Sequence, residues 1–98
     1  MEKFEDLIIS EAPVLIVFFA TWCAPCRNMH SVLEELKKEK GEKLRIAKID
    51  VDRHESLAAE QHIQSIPTLM LYKHGNLIWR QSGFTPLVQL KEVLEKYL

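Results

Sequence analysis

Residues 18–30 read FFATWCAPCRNMH and hold both cysteines of the 98-residue chain, Cys23 and Cys26, two residues apart where an apolar run ends. A pair so placed can be a structural staple, half of a metal site, or a reactive dithiol. The staple is the weakest reading, because a disulfide stabilises by closing a loop and gains with the length of that loop. A structural zinc site usually takes four ligands. Cys23, Cys26 and His30 offer three, no second cysteine pair exists, and His54, His62 and His74 fall in other elements. No metal is therefore expected. His30 reads as a solvated helix residue. The haem-attachment pattern is also excluded, since it needs histidine directly after the second cysteine, where this chain has Arg27.

Upstream, Pro13 leads into VLIVFFA, a β-branched and aromatic run without polar alternation, which predicts a strand buried on both faces. Downstream, Met29, Val32, Leu33 and Leu36 recur at helical spacing, so a helix is expected from Pro25 or Cys26 to about Lys40, stopped by Gly41. Before the first strand, FEDLIIS spaces Phe4, Leu7 and Ile8 as a short amphipathic helix. KLRIAKID, residues 43–50, alternates apolar and charged positions and predicts the second strand. Asp52 and Glu55 read as a capping pair opening a helix to about Gln61. Two apolar runs around KHGN, residues 73–76, predict a β-hairpin. Trp79 is expected on one face of that hairpin. Thr85 then caps a last helix with Pro86 in its first turn, its apolar face formed by Leu87, Leu90, Val93, Leu94 and Tyr97.

The order is thus α-β-α-β-α-β-β-α: an α/β fold with a mixed central sheet, its first two strands parallel by the crossover rule. Ninety-eight residues, 47% of them apolar, suit a single domain spanning 1–98. A net charge of −1 with mixed signs argues against nucleic acid and against a basic membrane-binding face. The longest apolar run, Ala12–Ala20, has nine residues, whereas a membrane span needs roughly 20. MEKFEDLIIS is not a secretory signal. With Met1 taken as the native start, the protein is expected in the cytoplasm.

WCAPC at a strand-to-helix junction in this order of elements resembles the thioredoxin family. VLIVFFATWCAPC, IAKIDVD, IPTLMLYKHG, Gly83 and the final helix fall in the family's order, covering residues 4–98. The resemblance implies about four strands flanked by four helices, and a thiol–disulfide oxidoreductase that reduces protein disulfides through a reversible Cys23–Cys26 cycle. Cys23 is then the attacking thiol, Cys26 the buried resolving thiol, and Pro67 a cis-proline facing them. Trp22, Ile66, Pro67 and Gly83 grip the substrate. Ala24, Pro25 and Lys48 support the site. The implied partners are disulfide-containing proteins and thioredoxin reductase. The chain binds no cofactor: its three glycines, at 41, 75 and 83, cannot form a dinucleotide loop, so electrons come from a separate NADPH-dependent flavin reductase. It is expected to work as a monomer.

Four departures from the family pattern carry expectations. A strand that usually precedes the first helix is missing, which leaves residues 43–50 as a sheet edge guarded by Arg45 and Lys48. Ala24-Pro25 replaces Gly-Pro. Ser31 stands where a proline often kinks the long helix. Val17 stands where an acid often lies beneath the resolving cysteine, so another proton acceptor is needed, with water or the departing thiolate expected to serve and Lys48 modulating the charge.

The chemistry explains the residue types. A disulfide is attacked by thiolate, and a free cysteine of pKa about 8.5 is mostly protonated at neutral pH. Cys23 just before a helix faces unpaired amides and the positive end of the helix dipole. The thiol of Cys26 can also donate a hydrogen bond to it. Together these draw the pKa of Cys23 towards neutrality. Cys26, one turn on, can break the mixed disulfide within the same molecule. A cis Ile66–Pro67 bond would expose the Ile66 backbone for pairing with a substrate strand.

Overall fold

The run VLIVFF forms the strand β1 (Val14–Phe19), at the centre of the computed structural model, which describes residues 3–98. Five of its six residues are buried, because both faces of the sheet are covered. On one side β1 pairs in parallel with β2 (Arg45–Asp50), in a register that sets Val17 beside Lys48 and Phe19 beside Asp50. On the other it pairs antiparallel with β3 (Thr68–Lys73), which continues through the hairpin to β4 (Asn76–Ser82). The sheet order is β2-β1-β3-β4, so residues 45–50 form an edge as expected. The hairpin loop is His74-Gly75, both at positive φ (52° and 83°), the backbone twist that two-residue hairpins favour.

Alternation along the strands sends side chains to two cores. Leu15, Val17, Leu69 and Leu71 face the long helix α2 (Ala24–Lys40) and the last helix α4 (Leu87–Tyr97), meeting Met29, Leu33, Leu36, Leu90 and Leu94. Trp79 packs against this side. Val14, Ile16, Phe18, Ile49 and Met70 face the opposite way, towards α1 (Phe4–Leu7) and α3 (Glu55–Glu60).

At element ends the structure departs from what the residue pattern predicts. α1 is a single turn and stops before Ile8, whose carbonyl instead accepts the Gly75 N–H at 3.1 Å. The hairpin thus takes the acceptor that a longer helix would use. α2 begins at Ala24 because Cys23 itself is the N-cap, with Pro25 inside the first turn. It runs unbroken through Ser31 to Gly41, which at φ 54° leads into a 3-10 turn, Gly41–Lys43. Lys37 donates to the carbonyls of Gly41 and Leu44 at 2.8 and 2.7 Å, satisfying chain-end acceptors. Asp52 and Glu55 do not form a capping pair: the N-cap of α3 is His54, without a side-chain cap. Thr85 does not cap α4 either. Pro86 holds the N-cap position, while Thr85 is fully buried, donating to the Gly83 carbonyl and accepting from Gln81.

Candidate active site

The C-terminal end of β1 delivers the chain to the N-terminus of α2, and both cysteines sit at that junction. Their Cα atoms are 5.2 Å apart and their sulfurs are bonded. Cys23 Sγ accepts a hydrogen bond from the Cys26 backbone N–H at 3.2 Å, so the helix N-terminus directs a donor at that sulfur. Cys23 is 6% exposed and Cys26 1%. The pair rests on Ala20, with Phe19, Val51 and Ile66 around it. Two peptide hydrogen bonds, Cys23 N–H to Ala20 and Arg27 N–H to Cys23, fix the turn, and the Arg27 guanidinium donates to the Thr21 carbonyl.

A second segment closes the other side. The Ile66–Pro67 bond is cis and Pro67 is buried. The Ile66 carbonyl oxygen lies 3.8 Å from Cys23 Sγ. Gly83 adopts φ 98°, a left-handed conformation suited to glycine, and donates its N–H to the Pro67 carbonyl at 2.7 Å. Thr85 N–H donates to Met29 Sδ at 3.2 Å, which ties this loop to α2. Cys23, Cys26, Ile66, Pro67 and Gly83 are thereby brought together.

Trp22 stands at the rim, 68% exposed, its indole N–H donating to Asp52 at 2.9 Å. A groove of about 190 Å³ runs between Trp22 and Ile66 over Val51, Ala58 and Ile63. Ala24 and Pro25 are exposed in the first turn of α2. Lys48 is exposed on β2. Its charge bears on His30, whose imidazole is pushed below its usual pKa by burial first, then by Lys48, with Glu34 opposing.

Three features escaped the sequence reading. Asp52 orients Trp22. Phe84, following Gly83, is exposed beside the loop that holds Pro67. His30 is not a solvated residue: its ring packs edge-on against Phe19 at 5.3 Å, and Nδ1 is buried with no hydrogen-bond partner among the described residues. The signal was present, since His30 follows Cys26 by four residues and so shares its helix face. A wider groove of about 590 Å³, lined by Phe4, Ile8, Leu57 and Tyr72 among others, contains neither cysteine. Among the described residues, no cluster of three or more His, Cys, Asp or Glu side chains is arranged to hold a metal ion.

Two sulfurs that join reversibly, one under a helix N-terminus and one beneath the surface, are suited to exchanging a disulfide with another molecule. Known proteins agree. The family model described as Thioredoxin matches residues 1–96. The thioredoxin of Bacillus subtilis (strain 168) is 45% identical over 89 residues, 91% of this chain and 86% of that protein. The thioredoxin of Synechocystis sp. (strain PCC 6803) is 39% identical over 94 residues, 96% of this chain and 88% of that protein. A solved structure described as a malarial protein superposes with a TM-score of 0.85 at 30% identity, over 89% of this chain and 98% of the other. Matched along nearly its whole length, with its cysteines bonded at the expected junction, the chain belongs to the thioredoxin family and is a thiol–disulfide oxidoreductase.

Proposed function

We propose that Cys23 captures a disulfide of a protein substrate and that Cys26 releases it reduced. The reduced pair is the starting state. The Cys23 thiolate attacks one substrate sulfur, a Cys23–substrate bond forms, and the other substrate sulfur leaves as thiolate. Cys26 then attacks Cys23 Sγ as thiolate. The Cys23–Cys26 bond forms and the second substrate sulfur departs, so two electrons pass from the pair to the substrate. The observation that carries this assignment is the asymmetry of the two sulfurs. Cys23 is the N-cap, accepts the Cys26 N–H and is the more exposed; Cys26 lies behind it.

The substrate surface in this reading is Trp22, Ile66, Pro67 and Gly83, to which we add Phe84. An extended segment laid along the Ile66 backbone would pair as an added strand, its side chains reaching the groove beside Trp22. Ala24 and Pro25 support the turn. Lys48 acts on the site through charge. Residues 1–98 work as one domain and as a monomer. Its partners are disulfide-containing proteins and thioredoxin reductase, the latter passing electrons from NADPH through its own flavin. The compartment is the cytoplasm, where thiols are kept reduced.

A trapping experiment tests the assignment. Cys26→Ser should hold substrate proteins as mixed disulfides on Cys23, identified by mass spectrometry after reductive release. Cys23→Ser should hold none. Equal trapping by both variants, or trapping on Cys26 alone, would overturn the roles.

A further inference from the structure

Release of substrate needs a proton acceptor. A thiol buried like that of Cys26 resists ionisation, and only its thiolate attacks. Val17, on the face of β1 turned towards α2, has no group that accepts a proton. Lys48 is exposed, and its ammonium group offers donors but no acceptor. Asp50 lies on the same face of β2, but its Oδ1 accepts the Asp52 N–H at 2.9 Å and its Oδ2 faces Arg53 at 4.0 Å.

His30 fits. It sits one turn after Cys26 on α2, and residues so spaced have Cβ atoms about 5–6 Å apart. Helical side chains lean towards the N-terminus, which directs the His30 side chain back towards the turn that contains Cys26. Phe19 fixes it from the sheet side: its ring meets the imidazole and packs against the cluster of Ala20, Cys23 and Cys26. Nδ1 lies inside with no partner among the described residues, whereas buried polar atoms are nearly always paired. That atom is available to accept a hydrogen bond.

We propose that His30 Nδ1 takes the Cys26 thiol proton, directly or through one water, during release of the substrate. This rests on Cys26 being the resolving thiol. In the step, the Cys26 S–H bond breaks and the proton moves to His30. The Cys26 thiolate forms a bond to Cys23 Sγ as the Cys23–substrate bond breaks. The substrate thiolate leaves, and imidazolium returns its proton to solvent. The charged groups around the ring suit the task. Glu34 on α2 favours the imidazolium, Lys48 on β2 disfavours it, Asp50 is engaged elsewhere, and the side chains that β1 turns towards α2 are apolar, Leu15, Val17 and Phe19. Burial and Lys48 together keep the ring neutral, and hence able to accept, at neutral pH.

Reaction of the reduced protein with an aromatic disulfide, dithiobis(nitrobenzoate), separates capture from release. Each event frees one equivalent of coloured thiolate, followed by stopped flow. His30→Gln should leave the first phase within about twofold and slow the second by about 10²-fold at pH 7, the lower end of general-base effects. The second phase of the unmodified protein should be level above neutrality and fall in acid as the ring protonates. In His30→Gln it should instead climb about tenfold per pH unit, following the Cys26 thiolate alone. Imidazole added to the buffer should restore the second phase of His30→Ala, whereas sodium chloride should not. An unchanged second phase and pH profile in His30→Gln, or no rescue by imidazole, would overturn the proposal. Cys26→Ser checks the underlying roles separately, since it should release one equivalent only.

Discussion

The Trp22 indole is held by one hydrogen bond of 2.9 Å to Asp52 although the ring is 68% exposed. A ring so free of packing depends on that bond for its orientation. Asp52→Ala should therefore weaken turnover of a protein disulfide through KM while changing stability by no more than about 1 kcal/mol, the usual worth of an exposed polar contact. Steady-state kinetics and urea unfolding measure the two effects. His30 acts on stability through pH. Its imidazole titrates below the 6.5 of an unperturbed histidine, through burial and the Lys48 charge. The unfolded chain therefore binds the extra proton first. The stabilisation from a neutral His30 is complete above pH 6.5 and is lost as the pH falls towards the lower folded value. Urea midpoints should decline over that interval, and less steeply in His30→Gln. Sequence alone missed His30 because helical spacing places it at the border of the apolar stripe through Cys26, Met29, Leu33 and Leu36. Only the approach of Phe19 from β1 turns that border inward.

At the scale of elements, α2 does two things: it places Cys23 at its start and fills one core with its apolar face. Leu36, fully buried three turns away, serves only the second. Leu36→Ala should cost about 2–5 kcal/mol, read as a lower urea midpoint with unchanged slope, while alkylation of Cys23 keeps its pH dependence. Elements with long periodic patterns were legible: β1 from its unbroken apolar run, α2 and α4 from helical spacing, the hairpin from His74-Gly75. Their ends were not. Asp52 and Thr85 are good N-cap types by local chemistry. Asp52 has a tertiary partner instead, Trp22, while Thr85 turns back into its own loop, towards Gly83 and Gln81. Capping preference cannot anticipate a partner 30 residues away.

For the whole molecule, the sheet order β2-β1-β3-β4 makes stability uneven. β1 and β3 have neighbours on both sides and are buried along most of their length, so their amides should exchange with deuterium only on global unfolding. The outer-facing amides of β2 and β4, and α1 with its single turn, should exchange earlier, as peptide-resolved mass spectrometry can establish. The site was legible in part for the same reason. WCAPC and IPT lie in two local stretches, and each can be read by itself. That Gly83 donates to Pro67, and that Phe84 stands beside them, depends on β3 and β4 bringing distant residues together.

Met29 and Met70 are each 1% exposed, and the Met29 thioether holds the loop of Thr85. A protein that trades electrons among oxidants thus keeps these two thioethers out of the traffic. Peroxide would spend itself on the reduced thiol pair, a reversible change, before it reached either methionine. Sulfoxide at those positions would record that a molecule had opened, and because it is too polar for the interior it would hinder closing again.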